Sequence, residues 1–301
     1  MTEEEKGFPI NRIQEVVSAP EDFRLLERVP LTKTNFRWPV ELSEPVGDER
    51  PIVLLDVETT GLDPVEDEII ELGLVRATYS LSASSLTSVQ QVTSLFEEPS
   101  LPIPPRIVEI TGITDEMVAG KRIDDELVDE WLSDRPLIVA HNAGFDRPFF
   151  EKRFPQHADK PWACSLHGID WSAANALGRK LEVLLLGLGW FYDAHRAATD
   201  CLAMAWLFHQ DPAAFAQLLE RARRKTVIVR AFGTPIEVKD DLKARGYRWY
   251  AGERGGMKHW WCEVEEAELG AEQDFLEKLS PGARESAQYD YVDAFSRYKA
   301  G

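Results

Sequence analysis

Residues 52–57 read IVLLDV, a branched apolar run of the length of a buried strand. Two more apolar stretches follow, EIIELGLVRATYS (68–80) and VQQVTSLFEEP (89–99), separated by the polar turn SASSLTS. Neighbouring strands joined by so short a polar loop predict an antiparallel meander. After the proline-rich LPIPP the period changes. A short helix is predicted through Ile107 to Ile110, and ITDEMVAG (113–120) opens like a capping box at Thr114. In DDELVDEWLSD (124–134), Leu127, Trp131 and Leu132 have helical spacing. PLIVAHN (136–142) predicts a fourth, short, buried strand. AGFDRPFFEKRF predicts a helix that tolerates a proline in its early turns. WACSLHGID supplies a further strand, and LEVLLLGLGW and ATDCLAMAWLFH read as two helices. Strands in a meander, then strands alternating with helices, imply an α/β sandwich with a mixed sheet.

The flanks read differently. Residues 1–49 lack a clear period and predict an arm packed on the main domain. It carries a short helix around Pro20 to Arg28 and an extended stretch at Trp38. Beyond a main domain at 50–212, residues 221–270 predict a small α+β module. TVIVRAF is its first strand. VKDDLKARG is a helix with acids at its start, bases at its end and Gly246 in the C′ position. YRWYAGERGGMKHWWCEV is a hairpin around a glycine-rich loop. Alternation puts Tyr247 and Trp249 on one face, opposite Arg248 and Tyr250, and puts Trp260, Cys262 and Val264 opposite Trp261. Residues 271–301 predict a helix followed by a loosely held tail.

Composition narrows the class. The 301 residues are 44% hydrophobic, enough for a sizeable core, and no apolar run approaches the eighteen or so residues of a membrane span. The start MTEEEKGF is unlike a secretory signal, and the three cysteines, Cys164, Cys201 and Cys262, are widely scattered. The expectation is a cytoplasmic protein without a disulfide framework or a zinc site. The net charge of −18 is unevenly spread. From Arg221 to Cys262 there are eleven Lys/Arg and four Asp/Glu, a surplus of seven positive charges, so the rest of the chain carries −25. A strongly acidic chain is a poor general nucleic-acid coat, and the uneven spread reads as an acidic body with a basic module near its C-terminus.

Three acidic landmarks stand at element ends. Asp56 and Glu58 close the first strand and point to one face, where like charges repel unless a cation lies between them. The plainer reading is a strand end and a solvated turn, since Gly61, Asp63 and Pro64 follow. HNAGFD (141–146) puts Asp146 in the first turn of a helix that leaves a strand end, where an acid also simply favours the helix dipole. HRAATD (195–200) sets His195 before an apolar helix and Asp200 in its first turn.

In this order, D-x-E-T-T-G, H-N-A-x-F-D and H-x-A-x-x-D resemble the motifs of the DEDDh 3′–5′ exonucleases. These form the DnaQ-like branch of the ribonuclease-H-like fold. The resemblance covers roughly residues 50–210, including ITGITDEMVAG, and none of its four carboxylates nor its histidine is missing. It implies a ribonuclease-H-like mixed sheet flanked by helices and a metal-dependent exonuclease acting on the 3′ ends of single-stranded DNA or RNA. It implies two divalent ions, Mg²⁺ or Mn²⁺, held by Asp56, Glu58, Asp146 and Asp200. His195 would be the general base. Thr59, Thr60, Gly61 and Leu62 would line the pocket for the 3′ nucleotide, with His141 and Asn142 behind the ligands. Single-stranded DNA is favoured. The alternatives are an exoribonuclease, or a proofreading-type subunit that acts mainly by docking to a polymerase. A replication or repair protein is then a partner, and no membrane is. In the module, Arg248, Trp249, Tyr250, Lys258 and Trp261 are candidate nucleic-acid contacts, because single strands are held by aromatic stacking and basic side chains. The competing reading makes the aromatics a core and the charges a solvated face.

Overall fold

The computed structural model describes residues 10–33, 37–172, 176–252 and 256–299. Its strands are β1 (Glu27–Arg28), β2 (Val40–Glu41), β3 (Glu49–Thr59), β4 (Ile69–Ser80), β5 (Ser85–Phe96), β6 (Leu137–Ala140), β7 (Trp162–Cys164), β8 (Trp190–Phe191), β9 (Thr226–Phe232), β10 (Arg248–Tyr250), β11 (His259–Glu265) and β12 (Gln288–Val292). Its helices are α1 (Ile13–Ser18), α2 (Pro105–Thr111), α3 (Asp115–Val118), α4 (Asp125–Leu132), α5 (Ala143–Arg153), α6 (Leu181–Gly187), α7 (Ala197–Gln210), α8 (Pro212–Arg223), α9 (Lys239–Ala244), α10 (Leu269–Leu279) and α11 (Ala283–Ser286).

The main sheet has six strands in the order β2-β5-β4-β3-β6-β7. β3, β4 and β5 form the antiparallel meander, and β6 and β7 continue it as parallel strands. Ile52 to Leu55 are all fully buried because helices cover both faces of β3, which is why that strand reads as an unbroken apolar run rather than an alternation. Ile52 and Leu54 pack with Met204 and Phe208 of α7 and Phe215 of α8. Val53, Leu55 and Val57 pack on the other face with Phe149 and Phe150 of α5. The mixed sheet between helices is the fold class that the motifs implied.

One glycine sets the distance between α7 and the sheet. Gly73 of β4 pairs with Asp56, and a Cβ there would overlap the backbone of Ala197 and Ala198 at the start of α7. The helix that carries Asp200 thus reaches the strand that carries Asp56 only because residue 73 has no side chain.

Several local expectations are corrected. β5 starts at Ser85, not at residue 89, so the loop is four residues. Its polar start is stable in the sheet because Thr78 Oγ1 lies 2.8 Å from both Thr87 Oγ1 and Ser88 Oγ. The helix expected at Pro20–Arg28 is a single 3₁₀ turn, Pro20–Asp22, followed by β1. Glu27 and Val29 donate backbone bonds to Gly189 and Phe191, both 2.9 Å, and this long-range pairing with β8 overrides the local helical texture. Thr114 makes no side-chain cap, and α3 is one turn long.

The tail is the largest correction. β12 pairs antiparallel with β9, so the small sheet has four strands in the order β10-β11-β9-β12 and extends past the expected boundary at residue 270. α9 and α10 cover one face of it over a core that includes Val227, Val229, Leu242, Trp260 and Leu276. The chain beyond β12 runs back onto the main domain. Trp162 N–H donates to the Ala294 carbonyl at 2.8 Å. The fully buried Arg147 guanidinium donates to the carbonyls of Phe295 and Arg297, each at 2.7 Å, and of Ala294 at 3.3 Å. Arg297 in turn donates to the carbonyls of Arg221 and Arg224. The segment carries weak apolar periodicity because backbone oxygens, rather than apolar side chains, make these contacts.

Replacing Gly73 with alanine should destabilise the protein by about 1–3 kcal/mol, the range for overpacking a close interface. Urea unfolding measures it, and an unchanged midpoint would show that α7 can step back from the sheet freely.

Candidate active site

The parallel pairing of β3 with β6 brings the end of β3 beside the start of α5, and Gly73 brings the start of α7 to the same place. Asp56 and Glu58 lie on β3, Asp146 in the first turn of α5 and Asp200 in the first turn of α7. These four carboxylates, with His195, His141 and Asn142, line one open cavity of about 320 Å³. Phe145, Leu181 and Met204 form its apolar wall. Ligand oxygens of Asp56, Glu58 and Asp200 lie within 4.8 Å of one another. Asp146, 2% exposed, turns Oδ1 to accept from Val57 N–H at 3.2 Å and reaches the cavity beside that trio.

Burial and mutual repulsion disfavour four negative charges in one place. Burial first, then the charges of Asp146 and Asp200, hold the Asp56 carboxyl well above its ordinary range. Glu58 is pushed up to about 8 by burial, then by Asp200 and Glu71. Asp146 is pushed up to about 7 and Asp200 to about 6, again chiefly by burial. The rise at Asp200 is moderated by Tyr192 O–H, which donates to its Oδ1 at 2.8 Å, and by Arg196 N–H, which donates to its Oδ2 at 3.1 Å. Hard carboxylate oxygens gathered at this cost fit a hard divalent cation, which takes oxygen ligands. A divalent cation would remove the repulsion that lifts these pKa values.

His195 is exposed and lines the cavity from the left-handed backbone region, at φ +66°. A non-glycine residue held there is strained, a frequent property of site residues. The strand–loop–helix junction around it is anchored by Glu71. That side chain, 1% exposed, accepts from Arg196 Nε and Nη2 at 3.1 and 3.2 Å, from Ala197 N–H at 3.2 Å and from Ser94 Oγ at 2.5 Å. Sequence reasoning passed over Glu71, Arg196 and Tyr192. The signal for Glu71 was present, since an acid within the apolar run of a buried strand requires partners. Nothing local marked Tyr192.

His141 sits in the cavity wall with both ring nitrogens engaged. Nε2 lies 2.8 Å from the Arg179 carbonyl and Nδ1 lies 2.7 Å from Ser165 Oγ. Burial lowers its pKa to about 4, so the ring is neutral near pH 7. Nε2 must then carry the hydrogen, because a carbonyl can only accept. Asn142 occupies the N-cap position of α5 without a capping side-chain bond.

The loop after β3 is not part of the cavity wall. Thr59 Oγ1 donates to the Gly61 carbonyl at 2.6 Å, and Thr60 Oγ1 accepts from Glu68 N–H at 3.0 Å. A Cβ on Gly61 would overlap the Asp67 carboxylate, and Leu62 projects into solvent, 80% exposed. The candidate contacts of the small sheet lie outside the cavity as well. Arg248 and Trp261 pair across β10 and β11 on the outward face, and Tyr250 shares that face. Trp249 pairs instead with the buried Trp260, at 5.3 Å between rings, and belongs to the edge of the core side. Lys258 is exposed in the loop before β11.

The exonuclease family profile (RNase_T) matches residues 53–208, just over half of the chain, and its span includes every carboxylate of the cavity and His195. The chain belongs to the exonuclease family, whose members are nucleases. Among characterised proteins it is 37% identical over 172 residues to "DNA polymerase III PolC-type" of Thermotoga petrophila, a match that takes in 52% of this chain and 11% of that one. The same-named protein of Bacillus cereus is 38% identical over 109 residues, 35% of this chain and 7% of that one. The chain therefore matches only a small part of the length of these relatives. Among solved structures, "Exonuclease X in complex with 5' overhanging duplex DNA" aligns with 56% of this chain and 98% of that chain, at 21% identity and a TM-score of 0.43. The nuclease domain of 3'hExo, "a DEDDh family member, bound to rAMP", aligns with 58% and 97%, at 18% identity and a TM-score of 0.45. No helix among the described residues is long and apolar enough to cross a membrane.

The raised pKa values fix the sign of a pH effect. Without metal, the folded protein holds protons that the unfolded chain releases. The resulting stability is full below the ordinary carboxylate pKa, near 4, and is lost as pH rises through the values of about 6 to 8 at Asp200, Asp146 and Glu58. Glu58→Gln removes one of the repelling charges. In chelator at pH 8 it should raise the melting temperature by about 2–5 °C, with little change at pH 4. Equal melting temperatures at pH 8 would mean that the carboxylates do not repel as the geometry requires.

Proposed function

We propose that the chain is a metal-dependent 3′–5′ exonuclease that hydrolyses single-stranded DNA from its 3′ end, with two divalent ions and His195 as general base. The observation that carries this reading is the set of four carboxylates, three with oxygens within 4.8 Å, held protonation-prone around a cavity that His195 also lines. Asp56, Glu58 and Asp200 would hold the ions, Mg²⁺ or Mn²⁺, with Asp146 completing the set. The chemistry that two such ions supply is activation of the attacking water and support for the departing oxygen.

The protein's own residues divide the remaining work. His195 takes a proton as a water oxygen bonds to the terminal phosphorus, and the bond from phosphorus to the 3′ oxygen of the preceding nucleotide breaks. That oxygen leaves with a proton from solvent, and a nucleoside 5′-monophosphate is released. Glu71 and Arg196 hold the loop that presents His195. The wall of Phe145, Leu181 and Met204 offers an apolar surface to the terminal base, while the neutral His141 adds no competing charge. The turn at Thr59–Leu62 follows Glu58 directly along the chain, and its tight Gly61 and exposed Leu62 would abut the terminal nucleotide. The preference for DNA is supported by the relatives named as DNA polymerases, and in that setting a replication or repair protein is the expected partner.

Matched 5′-labelled single-stranded DNA and RNA with Mg²⁺ or Mn²⁺ test the reading. A ladder shortening from the 3′ end of DNA, absent with chelator and in Asp56→Ala, is the expected result. A ladder on RNA alone would instead make the chain an exoribonuclease, and wild-type turnover by Asp56→Ala would remove the metal assignment. His195→Ala should slow hydrolysis at least about a hundredfold. An unchanged rate would leave His195 a loop residue only.

A further inference from the structure

The small sheet lies beyond the span of the exonuclease family, and its two faces are used unequally. Its inward face is fully employed as core under α9 and α10. Its outward face carries side chains that this core does not need. Residues directly opposed on antiparallel strands share a face, and two such rows cross β10, β11 and β9. One is Arg248–Trp261–Arg230 and the next is Tyr250–His259–Phe232. In the second row the His259 ring lies 4.9 Å from Tyr250 and 5.0 Å from Phe232. In the first, the Arg248 guanidinium lies 5.5 Å from the Trp261 ring. Arg230 is paired with Asp290, whereas Arg248 is exposed on the open side and Lys258 is exposed at the loop end.

Charge selects the occupant. The acids on this face are already paired, Glu263 with Arg221, Glu265 with Arg224 and Asp290 with Arg230, whereas Arg248 and Lys258 stand exposed at one corner of it beside the aromatic rows. A polyanion is drawn to that corner. The face is also tied to the catalytic cavity. The module cannot swing freely, because the segment that follows β12 is held by Arg147, the residue next to Asp146, and by Trp162 N–H. One helix, α5, thus presents Asp146 to the cavity and holds the module in register with it.

We propose that the outward face of the small sheet is a docking surface for the single-stranded DNA whose 3′ end enters the cavity. Bases upstream of the scissile bond stack on Trp261 and on the Tyr250–His259–Phe232 row, and Arg248 and Lys258 pair with their phosphates. The proposal rests on the reading of the cavity as a 3′ exonuclease site acting on single-stranded DNA. It predicts that affinity grows with strand length and falls with salt.

The test uses the full chain carrying Asp56→Asn, in chelator, so that binding is read without hydrolysis. Fluorescence anisotropy measures the affinity for 5′-labelled oligothymidylates of about 4 and about 20 nucleotides, lengths chosen to fall short of and to span a single-strand site. Arg248→Glu and Trp261→Ala should each weaken the longer strand about tenfold, so that its advantage over the shorter one largely disappears. Lys278→Glu, in the last turn of α10, should bind both as the parent does. Circular dichroism confirms that each variant is folded, and Arg248→Glu alters an exposed side chain whose ring contact is with Trp261 on the same face. Undiminished binding of the longer strand by both folded variants overturns the proposal and leaves the face to a protein partner. Equal affinity for oligouridylate overturns the commitment to DNA. Hydrolysis by the unsubstituted chain is measured separately, so an inactive enzyme would refute the exonuclease reading without touching the binding result.

Discussion

Four carboxylates that repel one another sit at the end of one sheet, and the surrounding structure exists to keep them there. Burial and repulsion favour their protonation or their separation, so the framework must hold them together and offset part of the rise in their pKa values. It does so with short, specific constraints. Val57 N–H holds Asp146, Tyr192 and Arg196 N–H hold Asp200, and the missing side chain of Gly73 lets α7 reach β3. Such a site stores unfavourable electrostatics that a divalent cation would release, which would couple metal binding to stability.

The same economy appears one layer out. Glu71 is a buried acid that reaches the reactive end of the sheet through Arg196 and Ala197 N–H rather than through the cavity itself. Its partners fix the loop in which His195 takes a left-handed conformation. Charge pairs that would add little at a surface can define a geometry when one partner is buried and satisfied on every side.

The C-terminal module extends this logic to the whole chain. Arg147 gives its guanidinium to backbone carbonyls of a segment nearly 150 residues away, while its neighbour Asp146 faces the cavity. Two adjacent residues on one helix thereby join the reaction site to the module. A tether of flexible residues would leave the basic face at an undefined distance. A strap of backbone hydrogen bonds gives it a fixed one.

Local pattern was enough for much of this protein. The buried run at 52–57, the meander, the alternation of later strands and helices, and the three acidic motifs at element ends were all legible, because each depends on period or on spacing along a few residues. The hairpin faces at Tyr247–Tyr250 and Trp260–Trp261 followed from alternation alone. What local pattern did not contain was any contact between distant backbone groups. β1 pairs with β8 through carbonyls at 189 and 191, so a stretch that reads as helix is extended. β12 joins β9, and the strap beyond it is held by Arg147, so a tail that reads as loose is fixed. The partners of Glu71 and the contact of Tyr192 with Asp200 belong to the same class. The sequence by itself determined the central strands of the main sheet, the fold class, and the four carboxylates and His195 that come to line one cavity. Only the tertiary structure decided how those side chains are oriented and how the ends of the chain are anchored, since backbone hydrogen-bonding groups are alike in every residue but proline and leave no mark in the sequence of the partner they choose.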